Sequence, residues 1–168
     1  TGSRLGILGM GRIGKKIAKI AKSLGMIIHY HNRSKLSSDQ ESGAIYQKDL
    51  KSLMSVSDVL SVCCPASKET VNMINKDTLE FLPKGAVVTN VARGDIVDDE
   101  ALIEALNRRK VYAVGLDVYK GEPNLNPGYL KHKSAFILPH LGSATKETRT
   151  AMANLAIDNL EEFFKSGT

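Results

Sequence analysis

The stretch Leu5-Gly6-Ile7-Leu8-Gly9-Met10-Gly11-Arg12-Ile13-Gly14 decides the fold. With Arg4, its first four residues make a short, largely apolar run of strand length, and a helix-period segment runs from the glycines to about Leu24. Between a strand and a helix, the G-x-G-x-x-G spacing has a physical use. Gly9 permits the tight turn, Gly11 lets the backbone approach a pyrophosphate, and Gly14 allows close helix–strand packing. The helix start adds free N–H groups and a favourable dipole for an anion. Alone, the three glycines mark a turn. In this context they make a dinucleotide the expected ligand, held by Gly9, Gly11, Arg12, Ile13 and Gly14.

Outward from this stretch, apolar runs alternate with helix-period segments, as in a parallel sheet covered on both faces. Strands are expected at Arg4–Leu8, Met26–His31, Asp58–Cys64, Ala86–Val91, Tyr112–Asp117 and Ala135–Leu138, with a weaker one at Ala44–Tyr46. Ile13, Ile17, Ile20 and Leu24 share one helical face, as do Leu102, Ala105 and Leu106, and then Met152, Leu155, Ala156, Asn159, Leu160 and Phe163; each stripe is expected to pack on the sheet. Asp98 and Asp99 suit the start of a helix over Ala101–Arg109, and Arg108, Arg109 and Lys110 suit the negative end of its dipole. Gly121–Lys133, with Pro123, Pro127 and Gly128, reads as a long surface loop. The pattern is α/β: a doubly wound parallel sheet, the Rossmann dinucleotide-binding fold, as a single three-layer domain.

Composition narrows the function. The 168 residues are 42% hydrophobic and 24% charged, ordinary for one globular domain, and no apolar run approaches the roughly 20 residues a membrane helix needs. A cytoplasmic location is expected. The net charge of +5 is spread along the chain and only 5% of residues are aromatic, which argues against nucleic-acid binding. Cys63 and Cys64 are adjacent, so they neither bridge each other in the ordinary way nor supply zinc-ligand spacing; no metal site is expected, and buried packing explains them better than nucleophilic catalysis.

NAD sites usually carry a carboxylate at the end of the second strand for the ribose 2′-hydroxyl. Here that strand ends in His31-Asn32-Arg33-Ser34-Lys35, where Arg33 and Ser34, with Lys35 as a further candidate, suit a 2′-phosphate, and Asn32 is a further expected cofactor contact. NADP is favoured over NAD, which stays possible; the plainer alternative is that Arg33 and Lys35 decorate a solvated loop. His31 is placed near the adenosine ribose, while His29 and His132 are read as structural and as a loop residue.

Three further segments each follow a strand: Asn90-Val91-Ala92-Arg93-Gly94, Gly115-Leu116-Asp117-Val118-Tyr119-Lys120-Gly121-Glu122-Pro123 and Pro139-His140-Leu141-Gly142-Ser143-Ala144-Thr145. Ligands bind at the carboxyl edge of an open parallel sheet, so Arg93, Glu122 and His140 are expected to converge beside a nicotinamide. Singly, each has a bland reading: Arg93 can pair with Asp95, Glu122 can be a turn carboxylate, His140 a loop residue, and Asp117 a satisfied buried carboxylate. Together and in order, they form a catalytic set.

With these motifs and Val62-Cys63-Cys64-Pro65, the sequence resembles the NAD(P)-binding domain of the D-isomer-specific 2-hydroxyacid dehydrogenases over essentially its whole length, and most of all their glyoxylate/hydroxypyruvate reductase group. The resemblance implies that His140 exchanges the proton of the 2-oxo group, that Glu122 supports its imidazolium, and that Arg93 binds the substrate carboxylate. It also implies that Cys64, Pro65, Val91, Ala92, Asp117, His140 and Gly142 contact the cofactor, with Asp117 on the nicotinamide carboxamide. A small 2-oxo acid is the implied substrate, the D-2-hydroxy acid the product and a homodimer the assembly. Family members begin with a substrate-binding domain that no segment here can form, so this chain is expected to bind cofactor and to turn over poorly alone. Corepressors that resemble these enzymes use the same fold and triad, so an NAD(H)-sensing interaction protein is the alternative.

Overall fold

In the computed structural model, which describes residues 1–167, seven strands form one sheet with every neighbouring pair parallel. They are β1 (Arg4–Leu8), β2 (Ile27–His31), β3 (Ile45–Tyr46), β4 (Val59–Val62), β5 (Ala86–Asn90), β6 (Val111–Leu116) and β7 (Ala135–Ile137), in the order β3-β2-β1-β4-β5-β6-β7. The helices are α1 (Arg12–Ser23), α2 (Ser38–Glu41), α3 (Leu50–Ser55), α4 (Lys76–Leu79), α5 (Asp99–Asn107) and α6 (Lys146–Ser166). Every strand read from the sequence is present, with shifts confined to the end residues. The residues fall into two compact units, Thr1–Leu138 and the stretch from Pro139 onward. The first contains the whole sheet with α1 to α5, so the doubly wound α/β architecture is complete within it.

Alternation along the central strands feeds two cores. Leu5 and Ile7 of β1, with Ile28 and Tyr30 of β2, join a cluster that Ala21 of α1 completes. Leu8 of β1, with Leu60 and Val62 of β4, points the other way and packs with residues of α3, α4 and α5 such as Leu53, Leu79 and Leu102. Leu60, Val62 and Leu102 are wholly buried, and each such side chain stabilises the fold by about 1.5–3 kcal/mol. Farther out, the double burial expected of most strands does not extend to Tyr112 of β6 and Phe136 of β7, which are exposed.

One helical stripe also departs from the sequence reading. In α1 the buried residues are Gly14 and Ala21, with Ile17 and Ala18 half-buried, while Ile13, Ile20 and Leu24 are 58%, 63% and 65% exposed. Small residues let the helix approach the sheet closely, and the bulky side chains turn outward. α6 lies in the second unit, and within it no residue is buried. The helix after Asp98 forms as read, with the Asp98 carboxylate accepting from the Ala101 N–H. It ends at Asn107, however, and its basic tail pairs elsewhere: Arg108 bonds Glu80, and Lys110 donates to the Glu80 carbonyl at 2.7 Å. The Gly121–Lys133 loop is anchored rather than superficial. It contains a 3-10 turn at Tyr129–Lys131, and the completely buried Tyr129 donates to Asp99 Oδ1 at 2.8 Å.

Candidate functional site

From β1 the chain builds outward through β2 and β3, then returns beside β1 as β4 and builds the other way. The carboxyl ends of β1 and β4 therefore flank the topological switch point, where the loops diverge and leave a crevice. Gly9 turns the chain there with φ +99°, and a Cβ on it would lie 2.5 Å from the Cys64 nitrogen and 2.6 Å from the Cys64 Cα. A Cβ on Gly14 would lie 2.5 Å from the Gly9 carbonyl oxygen, so this glycine seats α1 against the turn. Gly11 differs from both. Nothing lies within 4 Å of where its Cβ would be, and it is the N-cap of α1 without any side-chain cap. The first turn of α1 carries no acidic residue, which keeps its N–H end favourable to an anion.

The end of β2 fixes this turn from the side. The Gly9 N–H donates to the His31 carbonyl at 3.0 Å, and the Met10 N–H donates to Asn32 Oδ1 at 2.6 Å. Asn32 thus holds the glycine loop, a job its sequence position did not disclose. His31 sits close by, its Nδ1 2.9 Å from the Gln47 carbonyl and its ring stacked on Tyr46 at 6.4 Å. His29 is buried on β2 beside Gln47, and burial lowers its pKa, in keeping with a structural role.

These elements enclose a cavity of about 700 Å³. Of the residues expected at the cofactor, Gly9, Gly11, Arg12, Asn32, Arg33, Ser34, Cys64 and Pro65 line it together, whereas Ile13, Gly14, Lys35, Val91, Ala92 and Asp117 do not. Lys15, Ser67, Glu69 and Thr70 line it as well and were missed. Arg12 and Lys15 lie on successive turns of one face of α1, a signal that periodicity carries but that was read only for apolar residues. Ser67 and Thr70 form a turn in which the Ser67 N–H donates to Thr70 Oγ1 at 2.7 Å; the Ser67 hydroxyl donates to Glu69 Oε2 at 2.6 Å. That hydrogen bond holds the Glu69 carboxyl below its ordinary pKa, and the charge of Arg33 adds to the effect. Burial pushes the Cys63 thiol up and the Cys64 thiol up to about 11, so both are packing residues.

A second cluster forms beyond β5 and β6, in the same unit. Buried Asn90, at the end of β5, donates from Nδ2 to the Arg93 carbonyl at 2.9 Å and accepts from the Ala92 N–H at 3.0 Å, which shapes the Val91-Ala92-Arg93 turn. Its carbonyl accepts from the Asp117 N–H at 3.0 Å, joining this turn to the end of β6, where Asp117 is buried. Gly94 seats the turn against the next loop: a Cβ there would overlap the Tyr119 carbonyl and the Lys120 nitrogen. The Tyr119 N–H in turn donates to Glu122 Oε1 at 3.1 Å. The Arg93 and Glu122 segments are therefore docked on each other, with Arg93 exposed and donating from Nη1 to the Ala92 carbonyl at 2.6 Å. Among the described ion pairs none joins Arg93 to Asp95. Asn90 and Gly94, whose roles the motif alone does not show, are its scaffold.

His140 and Gly142 belong to the second unit. His140 follows β7 closely in the chain, is exposed, and has φ +56°, a conformation uncommon for a residue with a side chain. Among the described residues no three His, Cys, Asp or Glu side chains cluster to hold a metal ion, and no helix is long and apolar enough to cross a membrane.

The model of the D-isomer specific 2-hydroxyacid dehydrogenase NAD-binding domain matches residues 1–142. The chain belongs to this family. Among relatives of this dehydrogenase domain, a glyoxylate reductase of Aeropyrum pernix is 44% identical over 165 residues, covering 96% of this chain and 49% of that protein. A crystal structure of a glyoxylate reductase from Paecilomyes thermophila superposes with TM-score 0.93 at 42% identity, covering 99% of this chain and 51% of that one. A structure of an NADPH-dependent glyoxylate/hydroxypyruvate reductase from Sinorhizobium meliloti, in complex with NADP and malonate, gives 0.93 at 36% identity, covering 99% and 51%. The dehydrogenase domain spans about half the length of the curated relatives it matches.

Proposed function

We propose that this chain is the nucleotide-binding part, bearing the catalytic residues, of a reductase that converts a small 2-oxo acid of the glyoxylate or hydroxypyruvate type to the D-2-hydroxy acid with NADPH. The observation that carries the reading is the switch-point cavity, which joins an open, uncapped helix start at Gly11 to Arg33 and Ser34 at the end of β2. The donor set fits the cofactor. The first-turn N–H groups of α1 suit the pyrophosphate, and Arg33 with the Ser34 hydroxyl suits a 2′-phosphate, which the usual carboxylate of an NAD site would repel. The NADP complex of the Sinorhizobium meliloti relative supports the same assignment.

When bound, the nicotinamide supplies the hydride to the substrate's C2. In this reading the chain's residues do the rest. Arg93, permanently charged and forked, binds the substrate carboxylate and polarises the 2-oxo group. His140 donates a proton to the carbonyl oxygen as hydride reaches carbon, and takes it back in the reverse direction; Glu122 serves as the carboxylate that favours the charged imidazole. Val91, Ala92 and Asp117 hold the nicotinamide end, and His140 and Gly142 complete the cofactor contacts. Substrate recognition is shared with a domain outside these residues, and the assembly is a homodimer in the cytoplasm.

The test is turnover by the complete protein. Glyoxylate and hydroxypyruvate are offered with NADPH, and loss of NADPH absorbance is followed for the wild type, His140→Ala and Arg93→Ala. The reading expects turnover in the wild type, and loss of about 10²-fold or more in both variants, with NADPH binding retained in Arg93→Ala. Failure of the wild type to reduce any 2-oxo acid, or undiminished turnover in His140→Ala, would contradict it.

A further inference from the structure

The switch-point cavity carries opposed charges. Arg12, Lys15 and Arg33 are the cations on its wall, and among the described residues that line it Glu69 bears the sole carboxylate. A cavity suited to a phosphorylated ligand gains nothing obvious from an anion. Yet Glu69 is not a loose surface side chain: Ser67 Oγ donates to its Oε2 at 2.6 Å, and the turn beneath is tied by the Ser67 N–H to Thr70 Oγ1 at 2.7 Å and by Thr70 Oγ1 to the Pro65 carbonyl at 3.1 Å. The carboxylate is thus fixed on the β4 side of the cavity, charged at neutral pH, with its charge coupled to that of Arg33.

We propose that Glu69 is a specificity-determining residue for the cofactor, acting against the 2′-phosphate and in favour of the unphosphorylated dinucleotide. The inference rests on the assignment of Arg33 and Ser34 to the 2′-phosphate. A fixed carboxylate lining the same cavity repels the phosphate dianion, whereas a ribose 2′-hydroxyl meets no such repulsion. Glu69 therefore sets the preference for NADPH below what Arg33 and Ser34 would give by themselves.

Dissociation constants for NADPH and NADH are measured by calorimetry on the purified protein, for the wild type, Arg33→Ala, Glu69→Gln and the charge-conserving Glu69→Asp. At low ionic strength Glu69→Gln is expected to tighten NADPH binding on the order of fivefold, the Coulomb scale for exposed charges in water, with NADH little changed. Glu69→Asp is expected to stay near the wild type, and the gain in Glu69→Gln to shrink in 0.5 M salt. Weaker or unchanged NADPH binding in Glu69→Gln overturns the proposal; weaker binding would make the carboxylate a support for Arg33. The two readings separate cleanly. If Arg33→Ala loses NADPH selectively and Glu69→Gln changes nothing, only the Glu69 role falls. If the wild type prefers NADH while Glu69→Gln still gains NADPH affinity, the NADPH preference falls and the Glu69 role stands. Binding of neither dinucleotide by the wild type overturns both.

Discussion

Replacing Gly9 and Gly11 separately with Ala should separate folding from cofactor binding. At Gly9 the new methyl would lie 2.5–2.8 Å from the Cys64 nitrogen and Cα and the Cys63 carbonyl carbon, backbone atoms that cannot swing aside. Ordinary contact begins near 3.4 Å, so the β1 and β4 ends must part by most of an ångström. Overpacking of this kind costs about 1–3 kcal/mol. The backbone at φ +99° adds about 1–2 kcal/mol for a residue with a Cβ. The sum, about 2–5 kcal/mol, corresponds to a fall in Tm of about 10 °C for a protein of this size. At Gly11 the methyl meets nothing within 4 Å and the backbone is extended, so Tm should hold. The same methyl enters the open space before the helix start and should weaken NADPH binding about tenfold or more. Thermal unfolding by circular dichroism with calorimetric titration of each variant reads both effects. A Gly9→Ala protein as stable as the wild type, or a Gly11→Ala protein that unfolds as early as Gly9→Ala, would refute the geometric reasoning.

Hydrogen bonds from Arg4 to Asp58, at 2.6 and 3.1 Å, hold that carboxyl below its ordinary pKa. A depressed folded pKa stabilises above the unfolded value, near 4, and the benefit is lost as pH falls through the folded one. The Tm gap between wild type and Arg4→Met should therefore be open at pH 7 and close below about pH 4 in a pH series of melts. Tyr129→Phe leaves the buried Asp99 without its 2.8 Å donor and should cost about 1–3 kcal/mol, lowering Tm by roughly 5 °C in calorimetry. With burial raising both thiols, Cys63 and Cys64 should alkylate with iodoacetamide at pH 7 far more slowly than a free thiol, as followed by mass spectrometry.

The fold was legible because its signals are local. Apolar runs such as Val59–Val62 and the glycines after Leu8 state strand, turn and helix within a few residues, and the parallel order follows from alternation with helices. What stayed hidden depends on partners distant in sequence. Ile13, Ile20 and Leu24 have helical spacing, but that spacing cannot say that Gly14 and Ala21 would win the sheet side by permitting closer approach. Asn32 reads only as a cofactor contact, because nothing local shows that its carboxamide reaches the Met10 N–H. Glu69 escaped notice because a carboxylate in a Ser-Lys-Glu-Thr turn looks like any solvated charge until β4 carries it to the cavity. That the Arg93 and Glu122 segments follow strands was legible, while what docks them, Asn90 and Gly94, became visible only when β5 and β6 lay side by side.

The central claim is that the cavity after β1 holds a dinucleotide and that Arg33 reads its 2′-phosphate. Calorimetric titration with NADPH and with NADH, for the wild type and Arg33→Ala, tests it most directly. The account predicts tighter binding of NADPH by the wild type, and a loss on the order of tenfold in Arg33→Ala that leaves NADH almost untouched. Equal or tighter binding of NADH by the wild type, or equal weakening of both cofactors in the variant, would contradict it.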